Sequence, residues 1–168
     1  MGNEIVEDFE TVVNTLSKAW DIIKDNKPKA DFAGNSCNAV PDVKDWTDLQ
    51  EGGYSATRSR TIRMGNSVSS TSFIDVSYSL KYTYGATYKG GGAYIPSCTV
   101  DVEQCVVEWM FYVSVKLDVL ETNNAGTRLA PVAHLRVKLS EEWGWIGAMQ
   151  SRSVIYNLYG DGRDPVVE

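Results

Sequence analysis

IDVSYSLKYTY, Ile74 to Tyr84, alternates without a break: Ile74, Val76, Tyr78, Leu80, Tyr82 and Tyr84 fall on one side, and Asp75, Ser77, Ser79, Lys81 and Thr83 on the other. A period of two over eleven residues is the mark of a strand with one face in a core and the other in water. The run from Cys105 to Leu120 repeats the pattern. Val107, Trp109, Phe111, Val113, Val115, Leu117 and Val119 share one face, and Glu108, Ser114, Lys116 and Asp118 the other, where Val106, Met110, Tyr112 and Leu120 add apolar residues. ETNNAGTR then turns the chain with Asn and Gly, residues that tolerate positive φ. A returning strand over Pro131 to Leu139 follows, then a last one over Gln150 to Tyr159. Weaker strands at Tyr54 to Arg63 and near Tyr94 to Val102 bring the count to six or seven. Strands joined by turns, without helices between them, predict an antiparallel β-sandwich.

Ahead of the strands the period is different. Ile5, Val6, Phe9, Val12, Val13, Leu16, Trp20 and Ile23 recur at three- and four-residue spacing, which predicts one amphipathic helix over residues 3–26. Glu4, Glu7, Asp8 and Glu10 crowd its first half while Lys18, Lys24, Lys27 and Lys29 crowd its end, an order that suits the helix dipole. Pro28 stops it. The class is therefore α+β, with the helix packed on the sandwich as a core element. Residues 27–53 read as a connector with one short strand near Lys29 to Ala33, pinned by Trp46 and Leu49. The single domain is completed by a sandwich over residues 54–160 and a tail over residues 161–168.

At 168 residues, 43% hydrophobic and 11% aromatic, the chain can bury enough apolar area to fold. A net charge of −6 argues against nucleic acid as a partner. The acidic MGNEIVEDFE start lacks the basic and apolar regions of a cleavable signal peptide, and Val6 stands where a myristoylated Gly2 wants Ser or Thr. No apolar run is long enough for a membrane-spanning helix. The expectation is a soluble protein, cytoplasmic or exported without a cleavable signal. Cys37, Cys98 and Cys105 read as reduced thiols, the other arrangement being a Cys98–Cys105 bridge across a short turn. With no CxxC pair and one histidine, no zinc site and no cofactor is expected.

Catalytic constellations are equally thin. His134 is the only base for a nucleophile triad and reads as an exposed strand histidine, and no GxSxG elbow is present. Glu103, Glu108, Asp118, Glu141 and Glu142 are carboxylates by type alone; Glu108, beside Trp109, falls on an outer face. YKGGGAY places Lys89 before its glycines and Pro96 soon after, so it is no phosphate loop. GDGRD, residues 160–164, lacks the ligand ladder of a calcium loop. The reading is non-enzymatic.

The loop aromatics remain. Tyr84, Tyr88 and Tyr94 surround one glycine turn, and Trp143 and Trp145 flank Gly144 in EEWGWIG. Amphipathic rings with little conformational entropy to lose suit a glycan or a lipid headgroup layer, so these five are the candidate binding residues. Tyr78 and Tyr82 are explained by the sheet. The layout, with an N-terminal amphipathic helix, a connector bearing Trp46 and a sandwich rich in Tyr and Trp, resembles that of actinoporin-type cytolysins. That resemblance implies a helix that detaches to form a pore; it covers layout and transfers no residues. The alternative expectation is a structural or protein–protein interaction module that self-associates through a sheet edge or an apolar strand face.

Overall fold

The alternation at Ile74–Tyr84 is realised as a strand whose Ile74, Val76, Tyr78 and Leu80 side chains are wholly buried and whose Tyr82 is nearly so. The computed structural model describes residues 29–33, 36–41, 49–50, 53–66, 71–145 and 147–168. In chain order its strands are β1 (Lys29–Ala33), β2 (Ser36–Ala39), β3 (Leu49–Gln50), β4 (Tyr54–Asn66), β5 (Thr71–Tyr84), β6 (Ala86–Tyr88), β7 (Gly91–Val107), β8 (Phe111–Asn124), β9 (Ala133–Trp145), β10 (Ala148–Tyr159) and β11 (Val166–Val167). The helix expected over residues 3–26 and the Trp46 anchor lie outside the described residues.

Two mostly antiparallel sheets pack face to face. One has the order β1-β8-β9-β10-β11, the other β3-β6-β7-β5-β4, with β2 also paired to β7. Their facing sides form one core: Ile62, Ile74, Val76, Tyr78, Leu80, Tyr82 and Cys98 from the second sheet meet Val113, Val115, Leu117, Leu135, Val137, Leu139, Tyr156 and Leu158 from the first. Each fully buried Val, Leu or Ile contributes about 1.5–3 kcal/mol relative to exposure, so the parity of these strands is strongly held.

Among the described residues six strands, β4, β5, β7, β8, β9 and β10, run twelve residues or more. They are the antiparallel sandwich read from the alternation. The segment read as a connector carries β1, parallel to β8, and β2, antiparallel to β7, so its short strands belong to different sheets. The segment read as a tail carries β11, whose Val166 and Val167 pair with Asn157 and Tyr156.

The run Cys105–Leu120 is a correction. It is not one strand but the end of β7, a turn at Glu108–Met110 and the start of β8. Phe111 N–H donates to the Glu108 carbonyl at 3.1 Å, and Met110 takes a φ of 72°, the pattern of a type II turn with a non-glycine residue where glycine is favoured. Val119 keeps register with the buried Val137 but is exposed, and a bulge follows it between Val119 and Glu121. The glycine segment is a tight hairpin turn. Lys89 (φ 52°) and Gly90 (φ 74°) form a two-residue turn between paired Tyr88 and Gly91, the positive-φ pattern of a type I′ hairpin.

All three cysteines are free thiols. Cys98 and Cys105 lie seven residues apart on the same strand, about 23 Å at 3.3 Å per residue, which rules out the bridge between them.

Candidate functional site

The five aromatic residues singled out from sequence lie at opposite ends of the sandwich. His134 at the start of β9 and Trp143 near its finish are nine residues, about 30 Å, apart. Tyr84, Tyr88 and Tyr94 gather at the His134 end. Trp143 and Trp145 stand at the other.

The tyrosine end is closed. Backbone bonds cross between the sheets there, Gly85 N–H to the Gly160 carbonyl at 2.8 Å and Ala93 N–H to Pro131 at 2.9 Å, while Gly160 N–H continues the β9–β10 ladder to Ala133 at 2.8 Å. The Tyr84 ring stacks on Tyr54 at 5.7 Å, meets Tyr82 at 5.8 Å and fills the space over Gly162. Tyr94 is half-buried against Gly92 and lines a cavity of about 160 Å³ with Pro41, Val132 and Ala133. Tyr88 pairs with Leu49 in register and carries the Lys89 ammonium 5.0 Å from its ring. His134 is held on both nitrogens, Nδ1 2.8 Å from Asn123 Oδ1 and Nε2 3.0 Å from Asn157 Oδ1, and stacks on Tyr159 at 5.0 Å. It is a packed, hydrogen-bonded residue rather than the exposed one expected.

The opposite end is open and apolar. Register pairs Phe111 with Trp145 and Val113 with Trp143, which brings the β7–β8 turn beside the β9–β10 turn. Phe73 stacks on Phe111 at 5.0 Å with planes 2° apart, and Glu108 N–H donates to the Phe73 carbonyl at 2.8 Å, so the turn is anchored from below. Above that anchor Trp109 is 53% exposed, Trp145 44% and Met110 37%. Gly144, between the tryptophans, has a φ of 144°, and a side chain there would collide with the Ala148 carbonyl oxygen. Only glycine lets β9 and β10 approach so closely beneath Trp145. Trp143 instead packs on the core, with the Arg152 guanidinium 5.5 Å from its ring.

Behind Trp143 a carboxylate is buried between the sheets. Glu141 accepts from Arg60 Nε at 2.6 Å, from Arg152 Nε and from the Tyr78 hydroxyl. Arg60 also reaches Tyr156 Oη at 3.4 Å. Burial by itself would raise the Glu141 pKa; the bonds from Arg152, Arg60 and Tyr78 outweigh it and hold the carboxyl below its ordinary value. Burial and the same carboxylate push the Tyr78 phenol up, which keeps it a proton donor. Every oxygen of Glu141 is engaged by the protein, so the cluster is a lock between sheets and offers no free acid or base. Among the described residues no group of His, Cys, Asp and Glu could hold a metal ion, and no helix is long and apolar enough to cross a membrane.

Trp109 and Met110 were absent from the sequence-based candidates because the run around them reads as uninterrupted strand. The one local signal is the adjacency of Glu108, Trp109 and Met110, where a polar, an aromatic and an apolar residue occupy both faces. No family model, no curated protein and no solved structure matches the chain.

Proposed function

We propose that the protein binds the headgroup layer of a lipid membrane through the tip formed by Trp109, Met110 and Trp145. The observation that carries the reading is three large apolar side chains standing exposed side by side, Trp109 and Met110 on the turn anchored through Phe73 and Trp145 at the end of β9. Trp at a turn tip suits the membrane–water interface, where the ring meets the apolar boundary and its N–H stays wet. Their exposed parts sum to about 300 Å², which sets an upper limit of about 7–8 kcal/mol on complete withdrawal from water. The cost of association takes most of that, leaving weak, reversible binding.

Charge selects the headgroup. A net charge of −6, with exposed Glu108 and Glu142 beside the tip, disfavours anionic lipid. A phosphocholine headgroup is net neutral and presents a quaternary ammonium that tryptophan faces attract. The test is flotation with phosphatidylcholine vesicles, read alongside tryptophan emission. Wild type is expected to float and blue-shift, with affinity falling about tenfold for each of Trp109→Ala and Trp145→Ala. Tyr88→Ala should float like wild type. Failure of the wild type to float refutes the proposal, and glycan-array binding abolished by the same two substitutions would reassign the tip to a sugar.

A further inference from the structure

Cys37 on β2 stands directly opposite Cys98 on β7 in an antiparallel ladder. Directly opposed residues in such ladders have Cα atoms about 4.5–5.5 Å apart, inside the 4.4–6.8 Å span of disulfides. The two thiols are close enough to shift each other's ionisation. Cys98 is wholly buried and Cys37 half-buried, so reagents reach the pair from the Cys37 side. A register shift between Cys37 and Ala39 gives the short strand β2 slack to close the remaining distance.

We propose that Cys37 and Cys98 are an oxidation site, a thiol pair that a glutathione-type disulfide converts into a cross-strand bond tying β2 to β7. The Cys37 thiolate attacks one sulfur of oxidised glutathione, forming a mixed disulfide and releasing one glutathione thiolate. The Cys98 thiolate then attacks the Cys37 sulfur and expels the second glutathione. Two protein thiols and one glutathione disulfide become one protein disulfide and two glutathione thiols, so atoms and electrons balance. The order of attack follows from the environment: Cys37 is the reachable thiol and Cys98 is wholly buried, and the neighbouring Cys98 lowers the Cys37 pKa against the effect of burial, whereas Cys37 and then burial push Cys98 up.

The bond has a structural consequence. β1 belongs to the sheet of β8, while β2, two residues later, belongs to the sheet of β7. Fixing β2 therefore ties the segment just after β1 to the sheet that β1 does not join. Oxidation is a covalent latch on the segment that leads from the N-terminal region into the sandwich.

The full chain, reduced and then held in a glutathione buffer of rising oxidised fraction, is denatured and alkylated, and its thiols are counted by mass spectrometry. Expected are a fall from three alkylated thiols to one, the loss of two hydrogens, and a linked peptide joining Cys37 to Cys98. Cys105→Ser should form the same bond, and Cys37→Ser should abolish it while keeping a cooperative melt. Three thiols persisting in oxidising buffer, a glutathione adduct on Cys37 that never resolves, or a linkage through Cys105 would each overturn the proposal.

Discussion

Glu141→Gln tests whether the buried cluster locks the two sheets together. The substitution keeps volume and one acceptor oxygen but removes the charge and points an amide at one of the two guanidiniums. Glu141 has no exposed side-chain surface, and Arg60, its charged partner across the sheets, is 18% exposed. A charge so enclosed recovers little hydration when its counter-ion is lost, and breaking such a pair costs about 3–5 kcal/mol. Arg152 is 45% exposed and rehydrates readily, so its share is under about 1 kcal/mol. The expected loss is about 3–5 kcal/mol, a fall in melting midpoint of roughly 6–20 °C for a chain of this size. Arg152→Met should cost far less. The pH dependence fixes the sign: the folded carboxyl titrates below its ordinary value of 4.5, so its stabilisation is complete above that value and fades as pH falls through the folded one. Wild type and Glu141→Gln should therefore converge in acid. Thermal unfolding followed by circular dichroism from neutral pH to pH 2 reads both effects. A Glu141→Gln midpoint within about 1 °C of wild type at neutral pH, or an Arg152→Met loss as large as that of Glu141→Gln, refutes the lock.

The strained turn and the close strand approach yield sharper local tests. Met110→Gly relieves a left-handed backbone and should leave stability unchanged or raise it by up to about 1 kcal/mol in a urea melt, whereas Met110→Val should lower it. Gly144→Ala drives a methyl into the Ala148 carbonyl at a φ of 144° and should cost about 1–3 kcal/mol in the same measurement, with the loss of tip binding that follows from a displaced Trp145. Oxidising Cys37 and Cys98 closes a loop of about 60 residues, for which chain entropy sets an upper limit of about 4 kcal/mol; scanning calorimetry should show a higher midpoint in the oxidised wild type and none in Cys37→Ser.

Where alternation was unbroken, the burial of side chains was legible from sequence. The apolar residues of Ile74 to Tyr82 and of Ala133 to Leu139 occupy the face their parity predicts, because a one-residue slip would have moved each set into water, whereas Ser79, read as wet, is buried. The parity extends further than the apolar residues do. Glu141 and Trp143 continue the series Leu135, Val137, Leu139, and Arg60 shares the parity of Ile62, so a carboxylate and a guanidinium were placed in the same core by the period that placed the leucines. Residue type obscured this, since a charged residue in a strand is ordinarily read as its wet face. The buried lock becomes intelligible only when both charges are known to meet.

The tip was hidden for a different reason. A strand reversal normally carries Gly, Asn or Asp at the residue with positive φ, and Lys89-Gly90 obeys that rule while Met110 violates it. With no turn residue between Val107 and Phe111, the sequence continues to look like strand, and Trp109 is counted with the core face it in fact leaves. A left-handed methionine costs about 1–2 kcal/mol relative to a relaxed backbone. Glycine at that position would relieve the strain but would remove an apolar side chain from between Trp109 and the Phe111 anchor. If the tip has no ligand, strain and exposed rings are both uncompensated. If it enters a headgroup layer, the methionine is the residue that makes two tryptophans into a continuous apolar surface. Met110→Gly therefore separates the two accounts: a variant at least as stable as wild type that floats less well on phosphatidylcholine vesicles assigns the strain to binding, and one that floats equally well assigns the tip to the tryptophans alone.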